Sequence, residues 1–342
     1  MIFHLSTVKK ILAASITLPL LLQQAHADDK SRSVSILFAG DIVLDGMPGK
    51  MIAEGKDPLA PFSDIFKTTD IRVANLECVV ATSGHAADKN FTFRAAPKTL
   101  ATLRRHFDAV SIANNHSGDF GREAFTEMLS HLNQYQVKYF GGGRQLHEAH
   151  APLLIEKNGL KIALLGYNEF MPRSFEATAS EAGVAWSEDE QVVADIRKAR
   201  TESGADLVIP FMHWGWENDK HSTARQQQLA HLMIDAGADA VIGGHPHVIQ
   251  ETEQYKDKPI IYSLGNFVID ELDNEPQTRG WITRLELNKS GVKAWDTRLA
   301  KINQDGVPMP VPEAATPCWQ QGDASIKLCS NAKIDFVSTK KP

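Results

Sequence analysis

The 342-residue chain predicts an α/β fold, on three observations. Apolar runs of strand length alternate with stretches of helical period. Five of those runs end on a carboxylate, an amide or an imidazole (at Asp41, Glu77, Asn115 with His116, His213, and His245 with His247), and the carboxyl ends of strands are where open α/β sheets gather ligands. The densest case is Val241-Ile242-Gly243-Gly244-His245-Pro246-His247, in which a buried-strand run breaks at two glycines and delivers two histidines around a proline. Pro246 biases His245 towards extended backbone, so both imidazoles are expected on one side of the chain. Alternate side chains of an extended strand lie about 6.5–7 Å apart, which suits two metal ions about 3.5–4 Å apart better than one.

In order, residues 1–27 read as a targeting segment: Lys9-Lys10, the apolar residues 11–22, and the cleavage signal Ala25-His26-Ala27. Cleavage after Ala27 is expected, because the apolar core is too short to span a bilayer. The mature chain is then periplasmic or extracellular. Loss of Lys9 and Lys10 moves the formal net charge from −6 to −8, which speaks against a nucleic-acid surface and means that an anionic substrate needs a local cationic centre. Cys318 and Cys329 lie close together in the sequence, in what reads as an exported tail from residue 301 to 342, and are expected to pair. Cys78, inside an apolar run, reads as a small buried hydrophobe.

The expected domain spans residues 34–300. A strand at 34–39 runs into Gly40-Asp41, with Asp45 near, and one at 71–76 runs into Glu77, whose carboxylate can bridge two ions. After a polar insertion at 82–90 and a helix ending at His106, a strand at 109–113 leads to Asn114-Asn115-His116, an amide beside a proton-donating imidazole. Ala124, Phe125, Met128, Leu129 and Leu132 form the core face of a helix over 120–135. Gly141-Gly142-Gly143-Arg144 lacks the spacing of a phosphate-binding loop. Residues 152–155 and 160–167 predict a hairpin turning at Lys157-Asn158-Gly159, and 171–186 an irregular rim or lid. A helix over 188–203 precedes the strand 207–212, which empties into His213-Trp214-Gly215-Trp216-Glu217. There the indoles of Trp214 and Trp216 can line a pocket or confine the imidazole, and Glu217 can orient His213. A helix over 223–236 and a strand at 240–242 return the chain to His245. A strand at 259–262 then leads to Ser263-Leu264-Gly265-Asn266-Phe267, and 281–287 with 292–299 suggests a closing hairpin. No internal repeat is present.

Taken in order, Gly40-Asp41, Asn75-Leu76-Glu77, Asn114-Asn115-His116, His213-Trp214-Gly215-x-Glu217, Gly244-His245-Pro246-His247 and Ser263-Leu264-Gly265-Asn266-Phe267 resemble the CapA/PgsA family of capsule and poly-γ-glutamate synthesis proteins, within the calcineurin-like metallophosphoesterase superfamily. The resemblance covers residues 34–270. It implies a four-layer αββα sandwich of two mixed sheets flanked by helices, with a dinuclear divalent centre of manganese, zinc or iron at the strand ends. By that resemblance Asp41 and His247 hold the first ion, Asn115, His213 and His245 the second, and Glu77 bridges them. His116 is then the acid or charge stabiliser, while Asn114, Trp214, Glu217 and Asn266 lie around the centre. The superfamily opens with Asp-x-His, whereas Val43 stands two residues after Asp41. One ligand of the first ion is therefore missing, and Asp45 is the substitute the sequence offers.

Three functions follow from these readings. The first is handling of an anionic envelope polymer beside membrane-bound synthesis proteins. The second is free-standing, metal-dependent hydrolysis of a phosphoester. The third is a structural envelope role with a vestigial site.

Overall fold

Every residue from Val34 to Ile42 is buried, and a strand covered on both faces must lie at the middle of a layered fold. The computed structural model describes Met1 and residues 33–330, so the expected targeting segment, apart from Met1, lies outside the described residues. In chain order the main strands are β1 (Val34–Ile42), β2 (Ile71–Leu76), β3 (Ala109–Ser111), β4 (Lys138–Phe140), β5 (Leu153–Lys157), β6 (Leu160–Asn168), β7 (Leu207–His213), β8 (Val241–Gly244), β9 (Thr252–Tyr255), β10 (Lys258–Ile261), β11 (Asn266–Val268), β12 (Arg279–Asn288), β13 (Gly291–Ile302), β14 (Pro308–Pro310), β15 (Ala315–Gln320) and β16 (Lys327–Ser330). The main helices are α1 (Gly46–Ala53), α2 (Thr99–His106), α3 (Gly121–Gln134), α4 (Asp189–Thr201) and α5 (Ala224–Ala236).

Two mixed sheets result. The larger runs β16-β15-β13-β12-β1-β2-β3-β4, with β11 joining β1 and β14 joining β13. β1, β2, β3 and β4 are parallel, whereas β12 pairs with β1 antiparallel. The smaller runs β9-β10-β8-β7-β6-β5, its four inner strands parallel and both edges antiparallel.

Alternation along β1 assembles the layers. Val34, Ile36 and Phe38 point at the second sheet and pack with Ile162, Leu164, Ile209 and Phe211. Phe38 and Phe211 meet edge to face at 5.9 Å. Leu37 and Ala39 point the other way, into a core closed by Leu100 and Leu103 of α2 and by the predicted apolar face of α3. On the far side of the second sheet, Leu165, Val208 and Met212 pack with Val192, Ile196, Leu229 and Met233 of α4 and α5. This is the αββα sandwich that the resemblance implies.

Local signals place the elements as expected. Thr223 and Gln226 form a reciprocal capping box at the start of α5, and Gly237 ends it at φ 119. Asn158 and Gly159, both at positive φ, turn the β5–β6 hairpin. At Asp41 the pairing of β1 with both β2 and β11 slips register, a bulge that redirects a side chain next to the site. Gly40 has to be glycine there, since a Cβ would stand 1.9 Å from the carbonyl oxygen of Gly265.

Beyond residue 300 the expected tail is instead sheet. β14 and β15 pair with β13, β16 pairs with β15, and together they cover an edge that the twelve residues of β13 would otherwise leave exposed. Cys318 and Cys329 form a disulfide across β15 and β16. Cys78 is free and buried, and burial pushes its thiol up to about 12. Alkylation of the folded protein should therefore leave all three cysteines untouched. After unfolding without reductant, Cys78 alone should be modified and peptide mapping should return Cys318 joined to Cys329; a disulfide peptide containing Cys78 would contradict the pairing.

Candidate metal centre

The carboxyl ends of β1, β2 and β3 in one sheet and of β7 and β8 in the other open onto the same place, where parallel strands present their ligands. Asp41 and Glu77 arrive from the first sheet and are fully buried. His213 comes from the last position of β7, while His245 and His247 follow β8. Donor atoms of Glu77, His213 and His245 all lie within 4.8 Å of one another, and so do those of Asp41, Glu77 and His247. Glu77 belongs to both sets.

The inner distances are short. His213 Nε2 is 2.6 Å from Asn115 Oδ1, 3.1 Å from His245 Nδ1 and 3.2 Å from Glu77 Oε1. Donors held about 2.0–2.2 Å from one tetrahedral ion stand roughly 3.3–3.6 Å apart, so this crowding is close to that of a shared ion. On the other side, His247 Nε2 is 3.9 Å from Glu77 Oε1, and its Nδ1 is 3.6 Å from Asp41 Oδ2.

Electrostatics lead to the same fit. Both oxygens of Glu77 and the Nε2 of His245 are buried without a hydrogen-bond partner, a costly arrangement that a coordinated cation would relieve. Burial, and then the neighbouring Asp41, holds the Glu77 carboxyl well above its usual range. Burial also raises Asp41, against the opposing pull of His247. His213 and His245 are driven well below the usual imidazole value by burial and by neighbouring imidazoles, which keeps their lone pairs available for coordination. The donor set fits divalent metal.

Surrounding amides fix the donors. Asn266 Oδ1 accepts from His247 Nδ1 at 2.8 Å, which leaves Nε2 as the nitrogen with a free lone pair. Asn114 takes the backbone N–H groups of His116 and Ser117 on its oxygen and donates to Asn75 Oδ1 and the Leu76 carbonyl. His116 places Nδ1 2.8 Å from Asp119 Oδ2, and burial lowers its imidazole despite that carboxylate. Asp119 is paired in turn with Lys89, whose ammonium also donates to the Asn115 carbonyl at 3.1 Å.

Several expectations need correction. Asp45 does not reach the centre: it caps α1 through Gly46 N–H and accepts the N–H of Arg94, so its oxygens are already committed. Trp214 lines no pocket. It is fully buried in the helix-side core and donates to the Tyr262 carbonyl, as strand alternation next to His213 requires. Glu217 is exposed and groups with His245 and His247 rather than with His213. His245 is not extended. It sits at φ 93 and His247 at φ 59, in a tight turn held by donation from His245 N–H to Asp41 Oδ2. The two rings nonetheless face one volume, with centroids 5.8 Å apart.

Some contributors escaped the sequence reading. Asn75 donates to Asp41 Oδ1 at 2.9 Å and lies 3.3 Å from His213 Nδ1; being two residues from Glu77, it was placed by strand parity on the same side. Asp119, one helical step beyond His116, was similarly within reach. Phe170, whose ring lies 3.9 Å from that of His245, carried no sequence signal.

The family described as bacterial capsule synthesis protein PGA_cap matches residues 35–271, and the chain belongs to that family. It is 30% identical over 301 residues to the PGA biosynthesis protein CapA of Bacillus subtilis (strain 168), covering 84% of this chain and 76% of that one. It is 32% identical over 238 residues to the capsule biosynthesis protein CapA of Bacillus anthracis, covering 67% of this chain but only 56% of the relative. A solved structure of a hypothetical protein from Thermus thermophilus superposes with a TM-score of 0.52 at 17% identity, over 78% of this chain and 99% of that one. At that identity the likeness shows the fold alone.

Replacing Glu77 by glutamine tests the electrostatic account. A carboxyl whose folded pKa lies above its unfolded value penalises the fold as pH rises past the unfolded value. At neutral pH metal-free Glu77→Gln should therefore be more stable than metal-free wild type, by about 1–3 kcal/mol, while losing the stabilisation that added metal gives wild type. Equal or lower stability of the metal-free variant in urea melts would contradict the account.

Proposed function

We propose that this protein serves the synthesis or export of an anionic envelope polymer of the poly-γ-glutamate type, through a centre for two divalent ions. The observation that carries the reading is the convergence of buried Asp41, Glu77, His213 and His245 with half-buried His247, in a chain that belongs to a capsule synthesis family. Asn115, His213, His245 and Glu77 would hold one ion, and Asp41, His247 and Glu77 the other. These nitrogen and oxygen donors suit manganese, zinc or iron. Such ions supply positive charge for carboxylate or phosphoryl oxygens and lower the pKa of water.

Around them, Asn75, Asn114 and Asn266 keep the donors in place, and the carboxylate of Asp119 keeps His116 in one orientation. The protein acts outside the cytoplasm after cleavage at Ala27, beside membrane-bound polymer-synthesis proteins. Among the described residues no helix is long and apolar enough to cross a membrane.

The buried His116–Asp119 pair favours a second reading, hydrolysis of a phosphoester, because a carboxylate that holds Nδ1–H supports the protonated imidazole, whose Nε2–H can then pass to a leaving group and leave the ring neutral. His116→Ala separates the two. In the polymer reading, cells carrying His245→Ala lose polymer while cells carrying His116→Ala retain it, and neither wild type nor variant shows metal-dependent phosphodiesterase activity. In the hydrolase reading, wild type is active and His116→Ala lowers kcat about 10²–10⁴-fold with metal content unchanged. Polymer output indifferent to His245→Ala would overturn the proposal.

A further inference from the structure

The ion between Asp41, Glu77 and His247 has one protein donor fewer than its neighbour, and Asp45 is committed to capping α1. We propose, resting on the metal reading above, that Glu217 is the missing ligand of that ion.

Among the described residues, the groups of potential donors that include a histidine of the centre bring in only one carboxylate besides Asp41 and Glu77, and it is Glu217, whose donor oxygen lies within 4.8 Å of His245 and His247. Its side chain is exposed and makes no hydrogen bond or ion pair among the described residues, so nothing competes for its charge. The backbone beside it, in contrast, is fastened. Asn218, at φ 67, donates its N–H to the carbonyl of Pro246 at 2.9 Å, tying the loop to the turn that carries both imidazoles. The Asn218 side-chain oxygen accepts from Asn274 at 2.6 Å and from Gln277 at 3.1 Å. An anchored backbone with a free carboxylate lets Glu217 reach the ion by rotating its own χ angles. A second observation concerns the same group of donors: the Nε2 of fully buried His245 has no hydrogen-bond partner, which marks unfinished coordination or hydrogen bonding within the group that Glu217 joins.

Glu217 could instead orient His245 from outside the coordination sphere, and the two roles affect different ions. The test is a manganese titration of metal-stripped wild type, Glu217→Gln, His247→Ala and the double variant, read by calorimetry and elemental analysis, with circular dichroism of each metal-free protein as a check on folding. Wild type should bind two ions, one tighter than the other. Glu217→Gln should weaken the looser ion at least tenfold and change the tighter one less than twofold. In His247→Ala, which keeps only the tighter ion, adding Glu217→Gln should change nothing. Two ions held by Glu217→Gln as in wild type would overturn the proposal, as would weakening of the tighter ion, which would make Glu217 the partner of His245. Wild type that binds no manganese would overturn the metal reading itself, and this proposal with it.

Discussion

Two carboxylates, Asp41 and Glu77, are buried where the two sheets meet, with no lysine or arginine among the described residues in contact with either. Desolvation of one unpaired carboxylate is already costly, and here burial raises both while Asp41 raises Glu77 further. The protein's answer is to surround them with imidazoles kept neutral by the same burial. A site of anions and neutral nitrogen donors is stable as a cation-binding site and poor as anything else. The fold therefore carries a local instability that binding is expected to offset.

Much of the architecture exists to hold that arrangement open. Glycine at position 40 lets β11 approach β1, and the bulge at Asp41 turns its carboxylate towards the second sheet. The left-handed turn at His245 and His247 is tolerated because Asp41, Asn218 and Asn266 each take or give a hydrogen bond there. The inter-sheet core around Phe38 and Phe211 keeps the two sets of strand ends in register with one another. Loss of packing far from the centre would thus be felt there as a change in donor spacing.

The layers, and the donors at the strand ends, were legible because periodicity and strand-end position are local properties of the sequence. Asp41, Glu77, Asn115, His213, His245 and His247 could all be found that way, and the structure brings their donor atoms together. Other information was not local, or was local and misjudged. The backbone of His245 is set by a hydrogen bond to a residue 204 positions away, which overrides the bias from Pro246. The role of Asp45 was decided by competition between capping α1 and reaching the centre, and the cap is nearer. Trp214 was misplaced although strand parity alone puts it on the face opposite His213. Residues 308–330 read as a tail because their strands are short and rich in proline, and only the uncovered edge of β13 explains why they pair.

The central claim is that the buried carboxylates and imidazoles form a metal centre. Anomalous diffraction from crystals of the full chain, grown with manganese and recorded with long-wavelength X-rays, tests it most directly. The account predicts a strong peak where the donors of Glu77, His213 and His245 converge, and a second, weaker one on the His247 side of Glu77. Crystals at high manganese with no anomalous peak among these residues, and Glu77 still without a partner, would contradict it.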